Sequence, residues 1–270
     1  MDTQRIDTIA SELVAVLGTG KTVEPFSKRF PGFDLNEAYV IAERVRELRE
    51  QRGQRVVGRK IGFTNVATQK AFGVSAPIWN YMFDATVREV GASGAFALAG
   101  TCAARIEPEI VLHLASAPRP GMSETELAAC VDWVAHGYEI VDAIFPNWSF
   151  TAPDAVAGYG VHAALLRGLQ HSITANRADW CERLKSFAVT LTCSDGTTRS
   201  GSGANVLGSP LIALKYLIDE IARYPQSQPV EAGEIITTGT LTDALPIAAG
   251  QTWTTELAGI ALDGIRVEFR

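Results

Sequence analysis

The sequence predicts an α+β fold in which a β-rich body carries a smaller helical lobe at its N-terminus. Apolar residues recur at helical spacing through the first part of the chain, whereas from residue 55 onwards most apolar segments have the length of strands and are separated by glycine and proline. We therefore predict a helical lobe over residues 1–75, which includes a lysine-bearing segment, and a β-rich body over residues 76–270. A chain of 270 residues can bury a substantial core without disulfides.

Four segments carry the signals of amphipathic helices. Asp34 precedes the second segment as an N-cap, and Pro210 occupies the first turn of the fourth. Ser123 and Glu126 form a capping box at the start of the third. The predicted helices span residues 7–17, 36–51, 124–136 and 210–224.

The predicted strands are short apolar runs rich in valine, isoleucine, threonine and leucine. They span residues 55–62, 106–114, 186–193, 234–240, 252–257 and 260–269. Residues 138–141 form a further strand-like run directly after the third helix. Strands of this length, interleaved with helices, are typical of an α+β chain with helices packed on a sheet.

Charge and composition exclude several classes of function. The net charge is −6, with 24 basic and 30 acidic residues, which argues against a nucleic-acid partner. The four cysteines form no CxxC pair, so we do not expect a zinc site. We expect reduced, buried thiols instead. The N-terminus lacks the apolar core of a signal peptide and no apolar run reaches transmembrane length, so we expect a cytoplasmic protein without a membrane partner.

Two glutamates in one strand are the strongest local signal. Glu107 and Glu109 are two residues apart in an apolar run, so their side chains project from the same face of the strand. Adjacent carboxylates repel each other unless a cation neutralises them, and a hard divalent cation prefers oxygen ligands. For the pair alone, a half-exposed strand with both glutamates in water is the simpler explanation.

A third carboxylate strengthens the case for a metal. Glu139 lies in another apolar run, between Tyr138 and Ile140, where a charge needs a partner. Three carboxylates with water could complete an octahedral Mg²⁺ or Mn²⁺ shell. Asp142 is a weaker candidate, because a loop cap or a salt bridge explains it more simply.

Lys60 is the candidate catalytic cation. It lies between Gly58 and Gly62 in a β-like run, where glycines allow close backbone approach. A lysine beside a metal-bound oxo acid could pair with its carboxylate or move a proton. The alternative is an ordinary strand lysine that points to solvent. Among the histidines, His113 shares the alternation of the two strand glutamates, although a core or surface position explains it more simply.

The chain resembles the fumarylacetoacetate hydrolase superfamily almost from end to end, in the branch of 2-keto-4-pentenoate hydratases and 2-oxo-3-hexenedioate (4-oxalocrotonate) decarboxylases. The resemblance rests on many short segments that occur in the same order. These are residues 31–34 (PGFD), 37–39 (EAY), 58–64 (GRKIGFT), 72–74 (FGV), 82–84 (MFD), 107–109 (EPE), 139–142 (EIVD), 206–211 (VLGSPL) and 238–242 (TGTLT).

The resemblance implies a fumarylacetoacetate-hydrolase-like fold, a homo-oligomer, and a small 2-oxo acid substrate. It implies Mg²⁺ or Mn²⁺ held by Glu107, Glu109 and Glu139, with Lys60 as a catalytic residue and Asp84 beside the substrate. The positions that it implies for substrate binding are Arg59, Phe83, Gly158, Tyr159, Val161 and Thr240. It also allows association with a hydratase or decarboxylase of the same pathway.

One segment departs from the pattern of this branch, which usually reads Asp-Thr-Val-Ala-Asp-Asn-Ala-Ser. Residues 154–161 read DAVAGYGV, and Ser209 replaces a common asparagine. The resemblance implies a lyase, with hydration of a 2-hydroxy-2,4-dienoate in aromatic-compound catabolism first and decarboxylation second. Acylpyruvate-type C–C hydrolysis and a non-catalytic partner subunit stay open. A decarboxylase must hold a second carboxylate, for which Arg59, Arg88 and Arg105 are the candidates.

Overall fold

The computed structural model describes residues 3–270, which form helices packed around two β-sheets. The helices are α1 (Thr3–Val16), α2 (Phe26–Arg29), α3 (Leu35–Gln51), α4 (Val66–Phe72), α5 (Glu124–Cys130), α6 (Ala152–Ala157), α7 (Arg177–Ser186) and α8 (Pro210–Ile221). The strands are β1 (Val56–Gly62), β2 (Ile78–Phe83), β3 (Val87–Glu89), β4 (Ser93–Phe96), β5 (Arg105–Leu114), β6 (Val131–Val141), β7 (His162–Arg167), β8 (His171–Ser172), β9 (Ala188–Cys193), β10 (Thr198–Ser202), β11 (Ile235–Thr237), β12 (Leu245–Pro246), β13 (Thr252–Ala258) and β14 (Arg266–Phe269).

The larger sheet positions the site. It has nine strands in the order β2-β1-β11-β5-β6-β7-β3, with β12 beside β5 and β8 beside β6. The smaller sheet has five, in the order β10-β9-β13-β14-β4. Side chains of Ile106, Tyr138 and Ile140 on the larger sheet pack against Trp253 and Val267 on the smaller one. The two sheets therefore share an apolar layer, which confirms the predicted α+β class.

The opposite face of the larger sheet carries a separate apolar cluster. Met82 of β2, Val111 of β5, Ala135 of β6 and Leu165 of β7 belong to it. Strands from near both ends of the sheet contribute to this one cluster, so the sheet curves around the face from which the odd-numbered residues of β5 and β6 project. A site on this face is enclosed by the sheet itself.

The predicted helix over residues 124–136 is wrong in its second half. Its capping box is present, since the Ser123 side chain accepts from Glu126 N and the Glu126 side chain accepts from Ser123 N. The helix ends at Cys130, and β6 begins at Val131. Residues 131–141 pair with β5 along its whole length, so the sheet overrides the local helical pattern.

The predicted strand over residues 260–269 is too long, because only Arg266–Phe269 is a strand. Gly264 lies so close to β13 that a Cβ atom there would be 1.9 Å from the Thr255 carbonyl oxygen. A tight loop at Gly264 therefore precedes β14. The predicted strand over residues 234–240 is likewise shorter, with β11 limited to Ile235–Thr237.

The lysine-bearing strand lies in the main sheet. β1 pairs antiparallel with β2 and parallel with β11. Residues 1–75 thus contribute a central strand to the β-rich body, while α1 and α3 pack together at its side. The division of the chain at residue 75 stays a prediction. Within residues 3–270, no helix combines the length and the apolarity needed to cross a membrane.

Candidate metal centre and active site

Two neighbouring strands bring three glutamates together. Glu107 and Glu109 project from one face of β5, and the antiparallel register places Glu139 of β6 directly opposite Glu107. One carboxylate oxygen from each of the three lies within 4.8 Å of the others. Glu109 and Glu139 are fully buried. The predicted cluster therefore exists as a compact set of oxygen ligands.

The hydrogen bonds of these carboxylates leave two oxygens unsatisfied. Glu109 Oε2 accepts from Gly239 N at 2.7 Å, and His162 Nδ1 donates to Glu139 Oε1 at 2.8 Å. Glu109 Oε1 and Glu139 Oε2 are buried without a hydrogen-bond partner in the part of the chain described. Leaving a charged group unsatisfied in the interior is costly, so this donor set fits a hard cation.

Gly239 has a local requirement for glycine. Its φ is 99°, and a Cβ atom would lie 2.0 Å from Thr64 Oγ1. Glycine at this position therefore lets the chain pass next to Thr64 while its amide donates to Glu109 on β5.

Burial and mutual repulsion alter the acidity of the three carboxyls. Burial raises the pKa of Glu107 to about 7, with Glu139 adding to the rise and Lys60 opposing it. Burial, and then Glu139 and Glu107, raise the pKa of Glu109 well above its ordinary value. Burial also opposes charge on Glu139, but Lys60 and His162 more than offset it and lower the pKa of that carboxyl. Repulsion within the cluster is thus only partly relieved by the protein.

Lys60 faces the glutamates from the centre of β1. Its Nζ donates to the Gly160 carbonyl oxygen at 2.8 Å and lies 3.5 Å from Glu139 Oε2. The residue is 2% exposed. Burial opposes its charge, but the glutamates, Glu139 foremost, more than compensate and raise the pKa of Lys60. Lys60 is therefore a fixed cation beside the carboxylates, and the solvent-facing alternative is wrong.

The acceptor for Lys60 belongs to a left-handed turn between α6 and β7. Tyr159, Gly160 and Val161 have φ values of 63°, 62° and 55°. Such values are strained for a β-branched residue such as valine. A Cβ atom at Gly160 would lie 2.9 Å from Lys60 Cδ, so glycine at this position lets the lysine chain pass.

Glu107, one of the three glutamates, lines a cavity of about 690 Å³. Of the site residues singled out from the sequence, Lys60, Val161 and Thr240 also line it. Arg105 lines it too, with its guanidinium 4.0 Å from the Trp148 ring centroid. One wall is aromatic, with ring centroids of Phe63 and Phe72 4.4 Å apart and those of Phe72 and Phe150 5.5 Å apart. The cavity thus combines an acidic, lysine-bearing floor with an apolar wall.

Two residues from the segments that carry the family resemblance face away from this cavity. Arg59 follows the alternation of β1 to the opposite face, where it pairs with Glu234 at 2.6 Å. Asp84 bonds to Arg55 in a short 3-10 turn after β2 and is partly exposed. Neither lines the cavity, so the expectation that both lie beside the substrate is corrected.

Three further predicted substrate contacts lie outside the cavity. Phe83 is buried under the guanidinium of Arg49, which lies 3.7 Å from its ring centroid. Gly158 caps α6, and Tyr159 donates its hydroxyl to the Leu13 carbonyl oxygen. Within the altered segment, only Gly160 and Val161 face the cavity.

The structure also reveals a residue that the sequence did not single out. His162 holds Glu139 through Nδ1, and its Nε2 lies 3.0 Å from Thr86 Oγ1. Burial lowers the pKa of His162, so it is a neutral donor to the carboxylate. It has no metal-ligand spacing to any other histidine, and the sequence carried no signal for it. His113 lies elsewhere, against Asp132.

Comparison with curated proteins gives end-to-end relatives. The chain is 29% identical over 266 residues to 2-hydroxyhexa-2,4-dienoate hydratase of Comamonas testosteroni, with 98% of each chain covered. It is 30% identical over 272 residues to 2-keto-4-pentenoate hydratase of Paraburkholderia phymatum, with 99% of this chain and 98% of that protein covered. A 4-oxalocrotonate decarboxylase of Pseudomonas putida is 29% identical over 232 residues, with 86% and 84% covered. The chain belongs to the family of 2-keto-4-pentenoate hydratases and 4-oxalocrotonate decarboxylases.

Solved structures give the same fold. The 4-oxalocrotonate decarboxylase from Pseudomonas putida G7, complexed with magnesium and adipate, superposes with a TM-score of 0.91 at 23% identity, over 100% of this chain and 99% of that one. A fumarylpyruvate hydrolase from Pseudomonas aeruginosa, in complex with Mn²⁺ and pyruvate, gives 0.60 at 13% identity, over 79% and 88%. No family model matches the chain. The predicted superfamily fold is therefore confirmed, and the relatives of this family are lyases.

Proposed function

We propose that this protein is a divalent-metal-dependent lyase that adds water to a 2-hydroxy-2,4-dienoate, through its 2-oxo-enoate form, in the breakdown of aromatic compounds. One observation carries the proposal: Glu109 and Glu139, each with a buried, unsatisfied oxygen, cluster with Glu107 beside a buried lysine, and Glu107 and that lysine line a cavity. The hydratases among its full-length relatives support the reaction type.

The charge balance supports a divalent ion. Three carboxylates and Lys60 sum to −2 when all are ionised. Glu107, Glu109 and Glu139 would hold Mg²⁺ or Mn²⁺ through oxygen, as these ions prefer. When bound, the ion would supply Lewis-acid polarisation of a 2-oxo group. The magnesium and Mn²⁺ in the solved structures of similar fold support this choice.

Lys60 provides a fixed positive charge and a proton at the reacting end of the substrate. The Gly160 carbonyl and Glu139 orient Nζ, and burial removes competing water. Nζ can donate to a substrate carboxylate or to an enolate oxygen as negative charge develops there. Because its pKa is raised, Lys60 acts from the protonated form.

The walls of the cavity suit the rest of the substrate. The stacked Phe63, Phe72 and Phe150 offer a dry surface to a hydrocarbon chain and keep bulk water from the acidic floor. Val161, in an apolar cluster against which Phe150 packs, continues this apolar lining. A short unsaturated acid therefore fits with its oxo-acid end at the glutamates and its chain along the aromatic wall.

Decarboxylation of a 2-oxo-enedioate is the second candidate, and Arg105 is the observation that favours it. Of the three arginines considered from the sequence, only Arg105 lines the cavity. It stacks on Trp148 and forms no ion pair within residues 3–270. A planar guanidinium held in this way can bind a second carboxylate in bidentate fashion.

A substrate panel tests both candidates. Purified protein with Mg²⁺ or Mn²⁺ receives 2-hydroxypenta-2,4-dienoate and 2-oxohex-3-enedioate, and loss of ultraviolet absorbance is followed. We expect turnover of the monocarboxylate that is abolished by chelation and restored by metal. Turnover of the dicarboxylate alone, lost in Arg105→Gln, would reverse the order of the candidates. Bound metal with no turnover of either acid would favour the non-catalytic subunit.

We also propose that the chain forms a homo-oligomer that can associate with a hydratase or decarboxylase of the same pathway. The resemblance to this family supports the homo-oligomer, and an interface would have three large exposed apolar side chains available in the described chain: Val66, Leu169 and Tyr216. Size-exclusion chromatography with light scattering tests the homo-oligomer, for which a monomeric mass would contradict the proposal. Co-purification with the partner enzyme tests the association.

A further inference from the structure

A second cavity, of about 340 Å³, lies behind the glutamate cluster. It shares no lining residue with the catalytic cavity. His162 lines it, while donating through Nδ1 to Glu139. An occupant of this cavity would therefore lie one side chain away from a carboxylate of the cluster.

Arg49 is an unusual feature of this second cavity. It is 3% exposed, yet within residues 3–270 it forms no ion pair with a carboxylate. Its Nε donates to Gln54 Oε1 at 2.7 Å, and its guanidinium is held 3.7 Å from the ring centroid of Phe83. The two terminal nitrogens have no hydrogen-bond acceptor in the described chain, and the side chain lines the cavity.

Burial lowers the pKa of Arg49 to about 10, so the residue is still a cation at neutral pH. Asp84 attracts this cation from a distance but forms no ion pair with it. A buried cation without a carboxylate in direct contact is costly unless an anion completes its environment. The geometry of the free edge, with two terminal nitrogens in one plane, matches the two oxygens of a carboxylate.

The other charged groups around the cavity do not supply that anion. Arg88 lines the cavity as a second cation, with its guanidinium 5.1 Å from the Phe96 ring centroid. The carboxylate of Asp142 also lines it, but its two oxygens accept from the backbone amides of Cys102 and Ala103 at 2.8 Å and 2.7 Å. The cavity therefore keeps an excess of positive charge.

The remaining lining is mixed and includes the apolar side chains of Val16, Leu17, Phe96 and Ile144. We propose that this cavity is a second ligand site, separate from the catalytic one, that binds a small organic acid: its carboxylate on Arg49 and Arg88, its apolar body against these side chains. An inorganic anion would fill the charged end and leave the apolar surface without a partner.

Calorimetric titration of the metal-loaded protein with benzoate tests the proposal, because binding is measured without turnover and the outcome is independent of the proposed reaction. We expect binding that weakens at least about tenfold in Arg49→Gln, since a charge-assisted bidentate pair is lost. Ala99→Trp, at an exposed position that lines the cavity, should block binding without touching Arg49. The matched control, Arg105→Gln, removes an arginine of the catalytic cavity and should leave benzoate affinity unchanged.

Three results would overturn the proposal. Benzoate affinity could be unaffected by both Arg49→Gln and Ala99→Trp, or it could be lost in Arg105→Gln alone, which would place the binding in the catalytic cavity. Inorganic phosphate could bind as tightly as benzoate, which would refute a site built for an organic acid. Because Ala99→Trp lies in a surface loop, the test holds even if Arg49→Gln fails to fold.

Discussion

Arg59 and Lys60 are neighbours on β1, both nearly fully buried, and they lie on opposite faces of the sheet with very different partners. Arg59 pairs with Glu234 at 2.6 Å, stacks 4.1 Å from the Tyr81 ring centroid and donates to the Gln228 carbonyl oxygen. One cation meets one carboxylate, and only Arg59 Nε is left without a partner. This face is balanced within the chain.

The face of Lys60 is not balanced. One cation meets three carboxylates, and Glu109 Oε1 and Glu139 Oε2 have no hydrogen-bond donor in the described chain. Arg59 and Lys60 are thus two buried cations, one position apart. The protein balances the charge around Arg59 and leaves the charge around Lys60 unbalanced. A balanced ion pair stabilises the fold. Buried carboxylates without partners destabilise it, and a bound ligand can remove that free-energy cost. The predictions below compare the two faces.

Glutamate substitutions give the largest expected difference. Glu109→Gln removes a ligand oxygen charge, so we expect loss of measurable Mn²⁺ binding by calorimetry and turnover reduced at least about a thousandfold. Glu234→Gln, the matched change on the other face, should keep metal affinity and turnover while lowering the free energy of unfolding by about 3–5 kcal/mol. Equal metal affinity in the two variants would refute the assignment of the faces.

Replacement of the two cations separates their roles further. With saturating Mg²⁺, Lys60→Met should lower kcat by about 10²–10⁴-fold, because the proton donor is lost. Metal affinity should not fall, since a cation is removed from beside an acidic cluster. Arg59→Met should instead lower the melting temperature and leave kcat per folded molecule unchanged. A loss of metal affinity in Lys60→Met would show that the lysine organises the ligands rather than the chemistry.

The same comparison explains how far the sequence could lead. Alternation along a strand is local, so Glu107 and Glu109 could be placed on one face from their spacing alone. That rule also separates Arg59 from Lys60, because adjacent strand residues cannot share a face. The resemblance placed both near the substrate, and the structure corrects it for Arg59.

Register and long-range contacts lie beyond sequence spacing. Glu139 meets Glu107 because β6 extends from Val131 to Val141 and pairs antiparallel with β5, in a region where the sequence predicted a helix up to residue 136. His162 reaches Glu139 from β7, and Gly239 reaches Glu109 across 130 positions of the chain. These contacts form only in the folded sheet, and the spacing of residues along the sequence does not predict them.

The acidity of the cluster predicts how stability depends on pH. Burial raises the pKa of Glu107 to about 7, against an ordinary value of 4.5. Between these values the native metal-free protein binds more protons than the unfolded chain, so its stability should fall as pH rises from 4.5 to 7, by about 2 kcal/mol. Melting temperatures of the metal-free protein measure this, and Glu107→Gln should remove that part of the fall. Saturating Mg²⁺ binds the ionised form and should reverse the trend. A metal-free protein that gains stability over this range relative to Glu107→Gln would contradict the raised pKa.

A pair of glycine substitutions gives the smallest and most local comparison. Gly160 and Gly73 have similar φ values, 62° and 68°, but a Cβ atom at Gly160 would lie 2.9 Å from Lys60 Cδ, whereas one at Gly73 has open space. Both Gly→Ala changes should cost about 1 kcal/mol of backbone strain, measured by denaturant unfolding. Only Gly160→Ala should also displace Lys60 and lower kcat, by about tenfold, with KM less affected. If Gly73→Ala lowered kcat equally, the effect would come from general backbone strain and not from displacement of Lys60. If neither changed kcat, the lysine side chain would have room to move, and the left-handed turn would serve the fold rather than the position of Nζ.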